Sequence, residues 1–565
     1  MGIATTRYED RTAGILSGIG NAAVQFEAHQ AVCGAGVLFL LPALLSQGLF
    51  KTSEVYKVPQ SHYYGLESVI LTLAFMALAR IKNPEQLKQC KPGEIGKIIG
   101  LDRIPEVRCL RDKIKLLTHQ KKAQQLNRLL IDHWYEEPSE DASFLYVDGH
   151  VRIYYGHKAN LPAKFVSRQK LCLSATTEYW VNDAQGLPVM MVTGDLTEKL
   201  QQVIEEQIIP QLQQTVLLAS QPGTEDVPVC TLVFDREAYA PAFFERLWQK
   251  YQIAIITYRK NVREQWAEAS FKTSAVTVLE QSVTMRLCEQ QTVLGGVVLR
   301  EIRRLSDNGH QTSIITTNRQ ISMEVAAGRM FGRWSQENFF RYLIMDYDFD
   351  KMIEFGIETI DENKEVINPE YRQLTHRLKK EKEKTQRLKA RLYPLTEQSI
   401  DTPVDAMPPL VQKQIILLEK IEQHQQIEQK LEQQRSQISK RIKLKDMPDQ
   451  IRYNKLKQES KMLMNIIKMI CYRAETSVAT LLSEFLTNAK DEKRMLVKQI
   501  IENNADLLPD FENKTLTVVL HTLSAPRFNY AADQLAQILT QAETIFPGTD
   551  LRMIFKISAT LDCVE

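Results

Sequence analysis

Three acidic residues, far apart in the chain, have the right chemistry to share a divalent cation. Asp148 interrupts an apolar run in LYVDGH, Asp235 follows another in LVFDRE, and Glu337 lies in the helical stretch GRWSQENFFRYL. Mixed α/β sheets place ligand sites at strand carboxyl ends. Carboxylates gathered at one point repel, and two Mg²⁺ ions about 4 Å apart remove that repulsion. Magnesium takes oxygen ligands, which these are. Taken singly, each acid has a plainer role. A strand-end Asp forms turns, Asp235 suits a helix cap, and Glu337 suits a solvated helix face. Glu237, Asp195, Asp346, Asp348 and Asp350 are rival carboxylates. Only a fold that gathers the three makes a site of them.

The elements around them can do so. Residues 144–156, with Phe, Tyr, Val and Ile, read as a strand, and 170–181 and 187–194 as two more in succession. Residues 197–212 carry an apolar helical face, 229–234 a fully buried strand, 241–251 a helix and 253–257 a strand. The order β-β-β-α-β-α-β predicts a mixed sheet covered by helices. Short strands are expected at 276–279, 283–288, 293–300 and 312–317, with a hairpin turn at Asn308-Gly309 between the last two. From 321 to 343 the pattern is helical again.

Around this core the chain is long, 565 residues, and several domains are expected. A hydrophobic share of 44% allows sizeable cores, and a net charge of +2 excludes a uniformly basic nucleic-acid binder. Any DNA contact must come from local patches. The eight cysteines are scattered, with no CxxC, which argues against zinc and for reduced thiols. The N-terminus lacks a secretory pattern, and the apolar stretch 32–45 is too short to span a membrane; a buried helix is expected there. Gly18, Gly20 and Ala23 resemble a dinucleotide loop only loosely, and no strand precedes them.

Residues 1–135 read as a helical N-terminal domain. Within it, 92–117 suggests a helix-turn-helix: Gly100 breaks the first helix, Pro105 opens the second, and Arg103, Arg108, Arg111, Lys113 and Lys115 lie in or near the second. Residues 371–391 form a strongly basic helix, nine cations (including Lys379, Lys380, Lys382 and Arg387) against Glu381 and Glu383, about +7 locally. It suits phosphate-backbone contact or a solvated face. A Pro-containing break is expected at 394–409. Residues 410–444 read as a long helix or coiled hairpin, with Leu417, Leu431 and Ile438 on one heptad position and His424, Glu428 and Arg435 interrupting the seam. A helix at 453–486 and a tail of strand, helix and strand complete the chain.

These segments resemble a bacterial insertion-sequence transposase of the DDE class. YVDGH resembles the first-acid segment, FDREAY the second, and RWSQENFFRYL the third-acid helix. Some members have an Arg four residues before the Glu, and Arg333 stands there. The same pattern puts Tyr where this chain has Met330 and Lys where it has Ile344, so those two roles do not carry over. The resemblance, strongest from 90 to 360, implies an α/β fold with a ribonuclease H-like mixed-sheet core (140–261 and 318–360). It also implies a β-rich insertion (262–317), a helical N-terminal domain and a largely helical C-terminal region: a coiled part at 361–500 and a small α/β segment at 501–565. The implied activity is DNA cleavage and strand transfer. One of two Mg²⁺ (or Mn²⁺) ions held by Asp148, Asp235 and Glu337 would activate water, and the other would stabilise the leaving 3′ oxygen. The implied partner is double-stranded DNA, bound by a homodimer or higher oligomer, in the cytoplasm and with no membrane. Arg333, His150, Arg152, Arg236, Arg108, Arg111 and the basic helix are candidate DNA contacts. Trp334 suits core packing or a base wedge. A nuclease with the same core but no strand transfer, or a non-catalytic DNA-binding descendant, are the alternatives.

Overall fold

The computed structural model describes residues 7–9, 11–12, 21–59, 63–137, 143–167, 169–194, 196, 198–219, 227–278, 281–347, 356–401, 407–486 and 490–558. Apart from β1 (His29–Val32), the first ten strands in the chain belong to one sheet. They are β2 (Phe144–Ile153), β3 (Ala163–Val166), β4 (Leu171–Asn182), β5 (Pro188–Gly194), β6 (Cys230–Phe234), β7 (Ile253–Tyr258), β8 (Lys272–Val278), β9 (Gln281–Leu294), β10 (Val297–Leu305) and β11 (Gln311–Thr316). The order across the sheet is β3-β4-β2-β6-β7-β11-β10-β9-β8, with β5 also on β4. β2, β6 and β7 are parallel, and the remaining pairings are antiparallel.

The strands of the 262–317 stretch join the core sheet, because β11 pairs with β7. The expected strand 293–300 is two strands: Gly295 and Gly296 have φ of 58° and 85°, the mirror-image turn geometry that closes the β9–β10 hairpin. Asn308-Gly309 does turn between β10 and β11.

Helices cover both faces. Leu200–Val203 and the turns after it, with Pro241–Tyr251, bury Val203, Ile204, Phe243 and Phe244 on one face against Leu145, Val147, Leu232 and Phe234. On the other, Ala326, Ala327 and Met330 of the Met323–Phe331 helix meet Phe144, Tyr146, Val233 and Ile256.

The N-terminal region is not purely helical. β1 pairs with β16 (Ala505–Asp510), in a second sheet ordered β1-β16-β17-β18, with β17 (Thr515–Leu520) and β18 (Arg552–Ile557). Phe26 meets Phe546 and Phe39 meets Phe555 edge to face, so the two ends of the chain share one core. The apolar stretch near residue 35 is buried there as a short 3-10 turn and a short helix. Among the described residues no single helix is long and apolar enough to cross a membrane.

Residues 356–457 form an arm. Two small β pairs make its neck: β12 (Ile357–Glu358) with β15 (Lys455–Leu456), and β13 (Glu365–Ile367) with β14 (Arg441–Lys443). Beyond them Pro369–Asp401 and Met407–Ser436 pack as an antiparallel helical hairpin, roughly 50 Å long at 1.5 Å per residue. The helix runs through Pro394 to Asp401 and the next one already begins at Met407, so neither 394–401 nor 407–409 is the expected break, and 402–406 lie outside the described residues. Leu374 and Leu378 pack on Leu431. The polar residues that interrupt the heptad seam are paired across it: His424 with Glu381 at 2.7 Å, and Glu428 with Thr385. The seam therefore closes within the chain.

Candidate active site

β2 and β6 run parallel with Tyr146 beside Val233 and Val147 beside Phe234. The next residues on the two strands are Asp148 and Asp235, so the register carries both acids to the same height. They also share a face, because Tyr146 and Val233, two residues earlier on each strand, pack in one core. Asp235 does cap the turn that follows, accepting from the Glu237 N–H at 2.7 Å through Oδ1, while its carbonyl accepts from the Thr257 hydroxyl at 3.0 Å. Asp148 Oδ1 accepts from the Gly149 N–H at 3.0 Å, and its Oδ2 lies 3.6 Å from Arg333 Nη1.

The third element lies over this face. The Met323–Phe331 helix starts at Ser322, whose hydroxyl accepts from the Val325 N–H. Tyr146 donates to the Arg329 carbonyl at 2.9 Å, and the Arg329 guanidinium stacks over Phe144 at 4.5 Å, tying this helix to β2. The chain turns at Gly332 and Arg333 and restarts as the helix Trp334–Tyr347. Phe339 of that helix packs on Trp180 at 5.9 Å, and Trp180 is the cross-strand neighbour of Asp148. Arg333, in the turn before this helix, and Phe339, within it, thus bracket Glu337 over the acid-bearing face. The side chains of Glu337 and Trp334 lie outside the described residues, as do Asp195, Asp348 and Asp350. The rival Asp346 is engaged elsewhere, 3.6 Å from both Arg80 and Lys498.

Glu237 is the rival carboxylate that comes close. Its tip is tucked against Tyr179, whose hydroxyl donates to it at 3.4 Å, although the residue as a whole is exposed. Burial of that tip first, then the charges of Asp235 and Asp148, push its carboxyl above the ordinary range. Lys164 works against that rise. Tyr179 and Lys164 are site neighbours that sequence reading missed; only strand register places them near Gly149 and Glu237.

Negative charge thus accumulates where the parallel pairing of β2 and β6 ends, Asp148 lying within β2 and Asp235 just past β6, and the donors are oxygens, which suits Mg²⁺ or Mn²⁺. Among the described residues, which omit the Glu337 side chain, no group of three His, Cys, Asp or Glu is placed to hold a metal ion.

The candidate DNA contacts fall on separate elements. Arg236 is exposed and stacks over Tyr258 at 5.7 Å. His150 is half-buried on β2, opposite Glu178. Arg152 is no surface cation: it is buried and lies 3.3 Å from the fully buried Glu178. In the expected helix-turn-helix, Pro92–Ile98 and Val107–His119 are helices joined through Gly100 at φ 67°. There Arg108 is exposed, Arg111 pairs with Glu85, and Lys113 is buried. On the arm, Lys379, Lys380 and Arg387 are exposed, and Lys382 reaches Glu432 at 2.6 Å.

A family model described as "Transposase protein" matches residues 2–559. No curated protein matches the chain. Among solved structures, similarity is found to the piggyBac transposase synaptic complex with hairpin DNA, seen by cryo-EM. The TM-score is 0.33 and the identity 12%, over 54% of this chain and 68% of that one.

Proposed function

The chain belongs to the transposase family, whose model spans residues 2–559, and from that premise we propose that it cuts transposon ends and joins them to target DNA at the Asp148–Asp235 site. We read the central sheet and its covering helices as a ribonuclease H-like core of the DDE class, with Glu337 as the third acid. One observation carries the reading: the parallel register of β2 and β6 sets Asp148 beside Asp235 on one face, under the helix that bears Glu337.

In this reading Asp148, Asp235 and Glu337 hold two divalent cations. When bound, such ions would activate a water or the DNA's own 3′-hydroxyl as nucleophile and offset charge on the leaving 3′ oxygen. Arg333 orients the Asp148 carboxylate, which it approaches to 3.6 Å, and offers a positive charge to the scissile phosphate. The helix beyond Arg333 fixes the height of Glu337 above the sheet through Phe339 and Trp180. Arg236 and His150 flank the acids, while Arg108, Arg111 and the arm cations Lys379, Lys380, Lys382 and Arg387 take phosphates farther out. Such contacts position the duplex without reading its sequence. We place the working form on paired ends as a homodimer or higher oligomer.

The test is Mg²⁺-dependent cleavage of end-bearing DNA, followed by strand transfer of pre-cut ends. Asp148→Asn, Asp235→Asn and Glu337→Gln should each abolish both steps and leave DNA binding intact. Full activity in any one variant removes that residue from the site. Cleavage without joining would replace the transposase reading by a nuclease.

A further inference from the structure

The β3–β4 hairpin is the outer end of the central sheet, and it is unusually apolar for an exposed edge. Phe165 is 59% exposed, Leu171 56%, and Tyr155, just after β2, 75%. Edge strands are normally blunted by charge or covered. Here cations are interleaved with the apolar residues: His157, Lys158 and Lys170 are all exposed. Gln169 in the hairpin turn donates to the Tyr155 hydroxyl at 3.4 Å, so the ring is tied to the tip.

Register decides how these side chains point. Phe165 pairs with Cys172 and Val166 with Leu171, so Phe165 and Leu171 lie on opposite faces of the ribbon. A tip that is apolar on both faces fits a slot better than a flat partner surface, which would cover one face only. Phe165 is on the face that carries Asp148, since Cys172 and Trp180 are both even-numbered residues of β4 and Trp180 opposes Asp148. The two positions are eight residues apart along β4, about 26 Å. The arm's basic helix abuts the same ribbon: Arg372 Nη2 donates to the Ala163 carbonyl at 2.6 Å.

We propose that this hairpin is a DNA wedge: Phe165 inserts at a base step of the duplex, while Lys158, Lys170 and the Arg372 end of the arm hold the flanking phosphates. The inserted step lies roughly eight base pairs from Asp148, at about 3.4 Å per base pair. Apolar side chains inserted this way partly unstack and bend DNA, and flanking lysines make binding salt-dependent. The proposal rests on the DNA-acting reading above.

The experiment uses the full chain and a long random-sequence duplex with donor and acceptor dyes at its ends. Wild type should bind and shorten the end-to-end distance. Phe165→Ser with Leu171→Ser should weaken binding about tenfold and abolish the shortening, with melting temperature and oligomeric mass unchanged. Lys158→Ala with Lys170→Ala should flatten the slope of log affinity against log salt by about 1.8. Unchanged affinity and bending in the Phe165 and Leu171 variant overturns the wedge while leaving the DNA-acting reading intact. A fall in its oligomeric mass also overturns it, because the tip then docks on a second copy. Failure of wild type to bind any duplex overturns the DNA-acting reading and the wedge with it.

Discussion

Replacing Glu475 by Leu should loosen the helix that carries Glu337. That helix is anchored at its far end by a buried charged knot. Arg80 Nη2 lies 2.8 Å from Glu475 Oε1, and the Tyr342 hydroxyl donates to Glu475 Oε2 at 2.8 Å. Arg80 also donates to the Tyr342 oxygen at 2.9 Å and stacks over Tyr347 at 4.6 Å. The Arg80 and Glu475 side chains are 10% and 1% exposed. Removing one partner of a buried pair leaves the other charge uncompensated, at about 3–5 kcal/mol. For Arg80 the remaining carboxylate is Asp346, 3.6 Å away and more exposed. Adding Arg80→Met should restore most of that loss, to within ~1–2 kcal/mol of wild type, since an apolar pair can replace a buried ionic one. Cleavage should behave differently. Tyr342 loses its bond to Glu475 in both variants, and a displacement of about 1 Å at the reacting groups can slow chemistry ~100-fold. Denaturant midpoints and single-turnover cleavage, measured on the singles and the double, separate the two effects. If each single costs under ~1 kcal/mol and the double equals their sum, the knot is not coupled and the reasoning fails.

Three further outcomes follow from other parts of the fold. Burial alone would raise the Asp506 carboxyl, but the Ala31 N–H at 2.7 Å and His521 Nε2 at 2.9 Å hold it below its ordinary 3.8. A depressed folded value means stability that is full above about pH 3.8 and lost as pH falls through the folded value; Asp506→Asn should flatten that acid limb in melting curves, and an unaltered limb rules the contact out. Gly328→Ala would place a methyl 2.4 Å from the Thr277 carbonyl, so the Met323–Phe331 helix must lift off β8, at about 1–3 kcal/mol; an unchanged melting temperature contradicts that packing. Replacing the hairpin 369–436 by a short linker should leave the core folded, because Asn368 N–H already meets the Lys440 carbonyl at 3.1 Å, and should flatten the salt dependence of duplex binding by about 0.9 per lost phosphate contact. An unchanged slope removes the arm from the DNA surface.

Much of this arrangement is legible in the chain, and the exceptions have physical causes. Apolar runs flanked by turn residues locate β2, β4, β5 and β6, and the position of Asp148 and Asp235 at or beyond such runs marks them as neighbours once a parallel pairing is assumed. β3, only four residues (AKFV), is too short to stand out, although it proves to edge the sheet. β1 pairs with β16 across nearly the whole chain, a contact that no local pattern encodes. At Gly295-Gly296 the apolar run hides a turn that two adjacent positive φ angles make possible. Pro394 misleads in the other direction: it marks a break in sequence, but the helix continues through it in the arm. The closeness of Glu237 to both aspartates follows from the capped turn after β6, which spacing alone does not reveal.

In the proposed site Asp148, Asp235 and Glu337 bind cations together. A crystal of the full chain soaked in Mn²⁺ and measured at the manganese absorption edge tests it most directly. Anomalous peaks are expected within coordination distance of Asp148 and Asp235, with a Glu337 oxygen completing the set, and should be lost in Asp148→Asn. Peaks elsewhere, or a Glu337 carboxylate turned away from the two aspartates with metal present, would contradict it.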